Sequence, residues 1–234
     1  MDAILNRHQK IAFCFSGGKD SMAALYLLKP YLDRITVYHL NTGDQPKETV
    51  EIINICKIFI PNFVEINTDS KAWIKINGIP SDIVPTFNTP LGITMGFSDM
   101  LISDRFSCCW NNLMWPMHQK ILDDGNTLII RGQKVSDMPK VPFNTGAVVD
   151  GIEVLYPLEN WTDSDVMQFL KEQEAPIHPV YDKLNGGIDC IHCTAWWDEN
   201  HLDWLNDAYP EAAEYVAKMH IVIKEKIKMQ LDTL

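Results

Sequence analysis

Five apolar residues, Ile11-Ala12-Phe13-Cys14-Phe15, run directly into Ser16-Gly17-Gly18-Lys19-Asp20-Ser21 and then into a stretch whose apolar residues recur at helical spacing. A strand that becomes a helix through two glycines predicts a parallel sheet with its ligand chemistry at the strand's carboxyl end. The segment is built to hold phosphate. Glycines let backbone N–H groups close on an anion, the new helix offers the positive end of its dipole, and Ser16, Lys19 and Ser21 add two donors and a charge. The G-x-x-x-x-G-K-S/T spacing of the common NTPase loop is absent, so this is a different cradle. The bland alternative is an ordinary glycine-rich turn in which Asp20 only complements the helix dipole.

The rest of the chain extends the sheet reading. Apolar spacing predicts a strand over 11–15, a helix over 19–32, a strand over 35–40, a helix over 46–60 ended near Pro61, and a strand over 63–66. Residues 68–95, rich in Pro, Asn, Thr and Gly, read as an irregular lid or substrate loop. A helix over 115–123, a strand over 127–130, an Asp150-Gly151 hairpin within 148–154 and a helix from a Thr162/Asp165 capping box through Lys171 follow. Residues 200–231 read as mostly helical. The expected fold class is α/β: a Rossmann-like, mainly parallel sheet with helices on both faces and a helical C-terminal layer. Residues 1–199 would form the nucleotide-binding domain and 200–234 a helical extension.

A formal charge of −11 argues against a surface that coats nucleic acid and favours small nucleotides or protein partners. No interval approaches the ~20 uninterrupted apolar residues of a membrane span, and no signal peptide is indicated, so a cytoplasmic location is expected. Of six cysteines in such a compartment, Cys14 in a strand and Cys56 in a helix read as packing residues. Cys108-Cys109 and Cys190-x-x-Cys193 are two close pairs, giving the four soft ligands of a 4Fe-4S cluster or a tetrahedral zinc. Generic chemistry does not choose between those metals, and purely structural thiols or a disulfide pair are the alternative. His192 reads either as a hydrogen-bonding partner of a metal group or as an exposed loop histidine. Trp110, Trp115, Trp196 and Trp197 flank both pairs, as a shield from water or as core packing.

Ser16-Gly17-Gly18-Lys19-Asp20-Ser21 resembles the signature of the PP-loop ATP pyrophosphatase superfamily. Leu40-Asn41-Thr42-Gly43-Asp44-Gln45-Pro46-Lys47-Glu48-Thr49 resembles the Asp-Thr-Gly…Pro-Glu-Thr segment of the phosphoadenylyl-sulfate and adenylyl-sulfate reductase family. Arg131-Gly132-Gln133-Lys134, followed by Asp137 and Pro139-Lys140, resembles that family's Gly-x-Arg anion-binding segment, with Lys134 in place of arginine. Lysine neutralises an anion without the bidentate fork of arginine, and a solvated surface lysine is the other reading. The resemblance implies an adenine-nucleotide site (ATP, adenylyl sulfate or phosphoadenylyl sulfate) formed by Ser16, Gly17, Gly18, Lys19, Asp20, Ser21, Leu40, Thr42, Gly43, Gly132 and Lys134. Lys19, Ser16 and Asp20 would be catalytic, with Mg²⁺ accompanying the nucleotide. The order of the cysteine pairs resembles the cluster-bearing adenylyl-sulfate reductases, which implies a 4Fe-4S cluster on Cys108, Cys109, Cys190 and Cys193.

Two features depart from that family's reductases. They attack sulfur with a cysteine of a C-terminal tail, whereas no cysteine follows Cys193 here, and Asn112-Leu113 stands where they carry Arg-Lys. The leading expectation is therefore activation at an α-phosphate with pyrophosphate release in sulfur-linked chemistry. Sulfonucleotide reduction with a nucleophile from elsewhere is the second, and a nucleotide-sensing module without turnover the third. A thioredoxin-like or other electron or sulfur donor is an implied partner, no membrane partner is expected, and a nucleic-acid acceptor and an oligomer are left open.

Overall fold

The computed structural model describes residues 1–137, 143–195 and 200–233. In chain order the elements are α1 (Asp2–Leu5), β1 (Ile11–Cys14), α2 (Lys19–Leu27), β2 (Ile35–Asn41), α3 (Lys47–Lys57), β3 (Phe63–Asn67), α4 (Ser70–Asn77) and β4 (Ile79–Ser81). Then come α5 (Pro90–Thr94), β5 (Ile102–Asp104), α6 (Arg105–Cys109), a π-helical turn (Trp110–Met114), α7 (Trp115–Asp123), β6 (Leu128–Ile130), β7 (Val148–Val149) and β8 (Ile152–Leu155). Helices α8 (Asp163–Glu172), α9 (His201–Ala208) and α10 (Pro210–Leu231) complete the order. The fold is α/β. Contacts divide the chain into two units, the first comprising 1–41, 47–66 and 117–181, the second 42–46, 67–116 and 182–234.

In the first unit six strands form one sheet in the order β3-β2-β1-β6-β8-β7. β1 runs parallel to β2, with Ile11 opposite Ile35, and parallel to β6, with Ile11 opposite Leu128; β8 continues the parallel run and β7 closes it antiparallel. The chain builds outward from β1 in one direction through β2 and β3, then returns to the other side with β6. The reversal between β1 and β6 opens the crevice in which such sheets bind ligands, beyond the strands' carboxyl ends.

Side chains of β1 alternate between two buried faces, as a strand covered on both sides requires. Ile11 and Phe13 pack with Met22 and Leu25 of α2, Ile53 of α3, and Val166 and Leu170 of α8. Ala12 faces the other way, with Tyr38, Ile121 of α7, Ile129 and Ile152. Helices thus cover both faces. The β7–β8 turn takes positive φ at both central residues, 51° at Asp150 and 81° at Gly151, the conformation a tight right-twisting hairpin needs. The Thr162 capping box is present, with Thr162 and Asp165 satisfying each other's backbone N–H groups at the start of α8.

The second unit holds a two-stranded parallel sheet, β4 with β5, and the helices α4, α5, α6, α9 and α10. Residues 68–95 are accordingly not the irregular loop their composition suggests. They carry α4, β4, a 3-10 turn over Thr86–Asn88 and α5, each too short for apolar periodicity to reveal. Residues 200–233 are mostly helical and group with this unit; Ala212, Ala213, Val216 and Ile223 make the buried stripe of α10. Among the described residues no helix is long and apolar enough to cross a membrane.

Gly132, just after β6, marks the tightest approach in the first unit. A Cβ there would lie 2.8 Å from the backbone C and O of Asp20 and from the N of Ser21. Gly132→Ala must push the start of α2 away from the sheet, so it should cost about 1–3 kcal/mol, read as a lower urea midpoint. An unchanged midpoint would show that this contact yields freely.

Candidate functional site

The loop between β1 and α2 is internally bonded. Gly17 takes φ 82°, which glycine adopts without a Cβ penalty, and Gly18 is the N-cap of α2. Ser16 Oγ accepts the Gly18 N–H at 3.3 Å and lies 3.1 Å from Ser21 Oγ, which donates to the Gly18 carbonyl at 3.0 Å. The Lys19 N–H donates to the Tyr181 hydroxyl at 3.0 Å. A side chain on Gly18 would meet that hydroxyl at 2.9 Å, so the glycine is what admits the tyrosine.

Beneath the loop lies a cluster of five charges. Lys19 Nζ donates to Asp20 Oδ2 at 2.9 Å and to Asp163 Oδ1 at 2.5 Å. Lys134 Nζ reaches Asp20 Oδ1 at 2.5 Å, Asp137 Oδ1 at 2.8 Å and Asp163 Oδ1 at 3.4 Å. Lys134 is 1% exposed, which corrects the reading of a solvated surface lysine. Burial opposes its charge, but the hydrogen bonds it donates to Asp137 and Asp20, with the charges of both, outweigh burial and hold its pKa above the ordinary lysine range. The Lys19 hydrogen bond, ahead of partial burial, holds Asp163 below the usual carboxylate range.

The structure thus brings Ser16, Gly17, Gly18, Lys19, Asp20, Ser21, Gly132 and Lys134 together in the first unit. Leu40 is buried within β2. Thr42 and Gly43 group instead with the second unit, where Thr42 supports the cysteines. Cys190 Sγ lies 3.3 Å from Thr42 Oγ1, and Thr42 Oγ1 accepts the Asp44 N–H at the same distance. Pro139, Lys140, Trp196 and Trp197 lie outside the described residues.

All four cysteines of the two pairs are half-buried free thiols. Burial, then the neighbouring charges of Cys109 and Cys193, pushes the Cys108 thiol up to about 12; burial, then Cys193, pushes Cys109 up to about 11. Cys190 is raised chiefly by burial and also by Cys193. The two pairs, 80 residues apart in sequence, therefore share one neighbourhood. Among the described residues no three His, Cys, Asp or Glu side chains stand at a spacing that would hold a single metal ion.

Three supports were not legible as such. Asn112, in the π-helical turn and 4% exposed, donates to the Cys108 carbonyl at 2.9 Å and points the same amide at its sulfur at 3.7 Å. Asp44, 5% exposed, accepts the His192 N–H at 3.0 Å, pairs with His192 Nδ1 at 2.7 Å and with Lys71 Nζ at 3.1 Å. His192 is therefore held rather than loose. Asp163 is the third, since its capping-box position masks its pairing with Lys19. Trp110 and Trp115 stack at 5.7 Å between ring centroids and are 49% and 42% exposed, so they are not core residues.

The ion cluster generates two tests. Lys134→Ala strands Asp20 and Asp137 without their common partner, and should cost on the order of 3 kcal/mol in chemical denaturation. Asp163, with a lowered folded pKa, contributes stability at every pH above its unfolded value of about 3.9 and loses it as pH falls through the lower folded value. Stability measured against pH should thus be less acid-sensitive below about pH 4 in Asp163→Asn than in the parent.

The chain is similar to several known proteins. An adenosine 5'-phosphosulfate reductase of Allochromatium vinosum is 22% identical over 203 residues, covering 81% of this chain and 75% of the relative. That of Burkholderia cepacia is 23% identical over 199 residues, covering 83% and 75%. Among solved structures, a phosphoadenylyl-sulfate reductase from Candida auris is similar with a TM-score of 0.48 and 11% identity, covering 74% of this chain and 76% of that one. The U34-tRNA thiolase NcsA of Methanococcus maripaludis, solved with its [4Fe-4S] cluster, is similar with a TM-score of 0.48 and 13% identity, covering 92% and 72%. The model of the phosphoadenosine phosphosulfate reductase domain matches residues 10–79 and 108–196, which take in the β1–α2 loop, the Thr42 segment and both cysteine pairs; the chain belongs to that family.

Proposed function

We propose that this protein is an enzyme that binds ATP or a related adenylyl nucleotide at the β1–α2 loop, activates its α-phosphate with release of pyrophosphate, and works in sulfur-linked chemistry. The observation that carries the reading is the pairing of a glycine loop at the β1/β6 reversal with two buried ammonium groups, Lys19 and Lys134. Loop N–H groups and the α2 N-terminus orient the phosphates, while Ser16 and Ser21 fix the loop's shape. Lys19 meets the negative charge that grows on the phosphoryl oxygens in the transition state, and Lys134 holds Asp20 in place. Mg²⁺ accompanying the nucleotide would share the phosphate charge.

Cys108, Cys109, Cys190 and Cys193 would hold a 4Fe-4S cluster. Their fit rests on an all-sulfur donor set gathered in one half-buried neighbourhood and on the Asn112 amide and Thr42 hydroxyl directed at two of the sulfurs. When bound, such a cluster supplies iron sites able to ligate sulfur or pass electrons. Sulfonucleotide reduction is the second reading, favoured by the similarity to the adenosine 5'-phosphosulfate reductases of Allochromatium vinosum and Burkholderia cepacia. Against it stands the neutral Asn112-Leu113 where the reductases carry Arg-Lys.

Anaerobically purified protein incubated with ATP should release pyrophosphate, and Lys19→Ala should lower that rate by roughly 100-fold. Sulfite from adenylyl sulfate, without pyrophosphate from ATP, would move the assignment to the reductase. Nucleotide binding with neither product would leave a sensing module. Iron analysis should find iron, and Cys190→Ser should lose it together with thermal stability. Zinc alone would overturn the cluster.

A further inference from the structure

We infer that Asp163 is an internal stand-in for phosphate, which an incoming phosphate must displace, so that this carboxylate sets the affinity threshold of the β1–α2 loop. The inference rests on the loop being a phosphate site, as proposed above, and adds the residue that sets its threshold.

Charge and geometry both point to Asp163. One of its oxygens, Oδ1, bridges the two ammonium groups, 2.5 Å from Lys19 and 3.4 Å from Lys134. A phosphate oxygen entering the loop would seek that bridging place. Asp20 also touches both lysines but spends both oxygens, Oδ2 on Lys19 and Oδ1 on Lys134, and is built into the loop itself. Asp137 is bound twice to its neighbour, by Oδ1 to Lys134 Nζ and by Oδ2 to the Lys134 N–H at 2.8 Å. Asp163 has neither anchor. Its side chain is 69% exposed, against 27% for Asp20 and 28% for Asp137, so it alone can turn to water without unmaking the loop.

The threshold follows from the count of charges. Two ammonium groups face three carboxylates, so the cluster already carries a net negative charge with Asp163 in place. An incoming phosphate gains only the amount by which its contacts exceed those of the carboxylate it displaces. Two linked phosphates replace the carboxylate and still have oxygens for the loop N–H groups. One of those N–H groups, that of Lys19, is itself occupied by the Tyr181 hydroxyl.

The test is calorimetric titration of the full chain with orthophosphate, with pyrophosphate and with ATP. Asp163→Asn keeps the size of the side chain and removes the competing charge. Orthophosphate and pyrophosphate should each bind this variant roughly 10-fold more tightly than the parent, because both are spared the same displacement. Glu172→Gln removes an equal charge from the end of the same helix and should change neither. Unchanged or weakened orthophosphate binding in Asp163→Asn, or an equal gain in Glu172→Gln, overturns the inference. Should Asp163→Asn fold poorly, Asp163→Ser makes the same comparison with a residue that suits a helix start. Failure of ATP to bind any form, with the orthophosphate result as expected, would sink the nucleotide reading and leave Asp163's role standing. Absence of all three ligands from every form overturns both.

Discussion

The buried ammonium of Lys134 is the constraint on which the first unit's site depends. A lysine that is 1% exposed tolerates its charge only because carboxylates surround it, and one of those, Asp20, belongs to the first turn of α2. The bond ties the segment after β6 to the loop after β1, across the point where the sheet reverses its direction of growth. Gly132 closes the same gap from the backbone side, two residues earlier. Removing charge from this junction would not simply weaken one contact, because desolvated carboxylates would be left behind.

Much of the first unit could be read from its sequence, since each signal there is local and repeated. The apolar run of β1, the helical spacing of α2 and α3, the Asp150-Gly151 turn and the Thr162 cap all act within a few residues of themselves. The glycine loop was legible for the same reason. Lys134 was not, because whether a lysine is solvated depends on carboxylates 114 and 29 positions before and after it, and no periodicity encodes them. The second unit was less legible throughout. Its strands β4 and β5 are three residues each and pair only with one another, while α4 and α5 lie in Pro- and Gly-containing sequence that reads as loop.

The cysteines show a related division. Their grouping in two close pairs was legible, but the groups hydrogen-bonded around them were hidden in plain types: a threonine, an asparagine and an aspartate. Asn112 reaches Cys108 because the helix locally adopts the wider π turn, a feature that recurs at functional sites and has no simple sequence mark. Asp44 fixes both the backbone and the ring of the histidine that separates Cys190 from Cys193.

That last arrangement carries a consequence for how the protein comes into being. The bonds from Thr42 to Cys190 and from Asp44 to His192 each span 148 residues of chain. Contacts of such separation form late, after the local helices and the closing of the intervening loop. During synthesis the first cysteine pair therefore emerges long before the second, and the two pairs come together only when most of the polypeptide has been made. Loading of any cofactor there belongs to the final stage of folding, and the newly made thiols must be kept reduced until then.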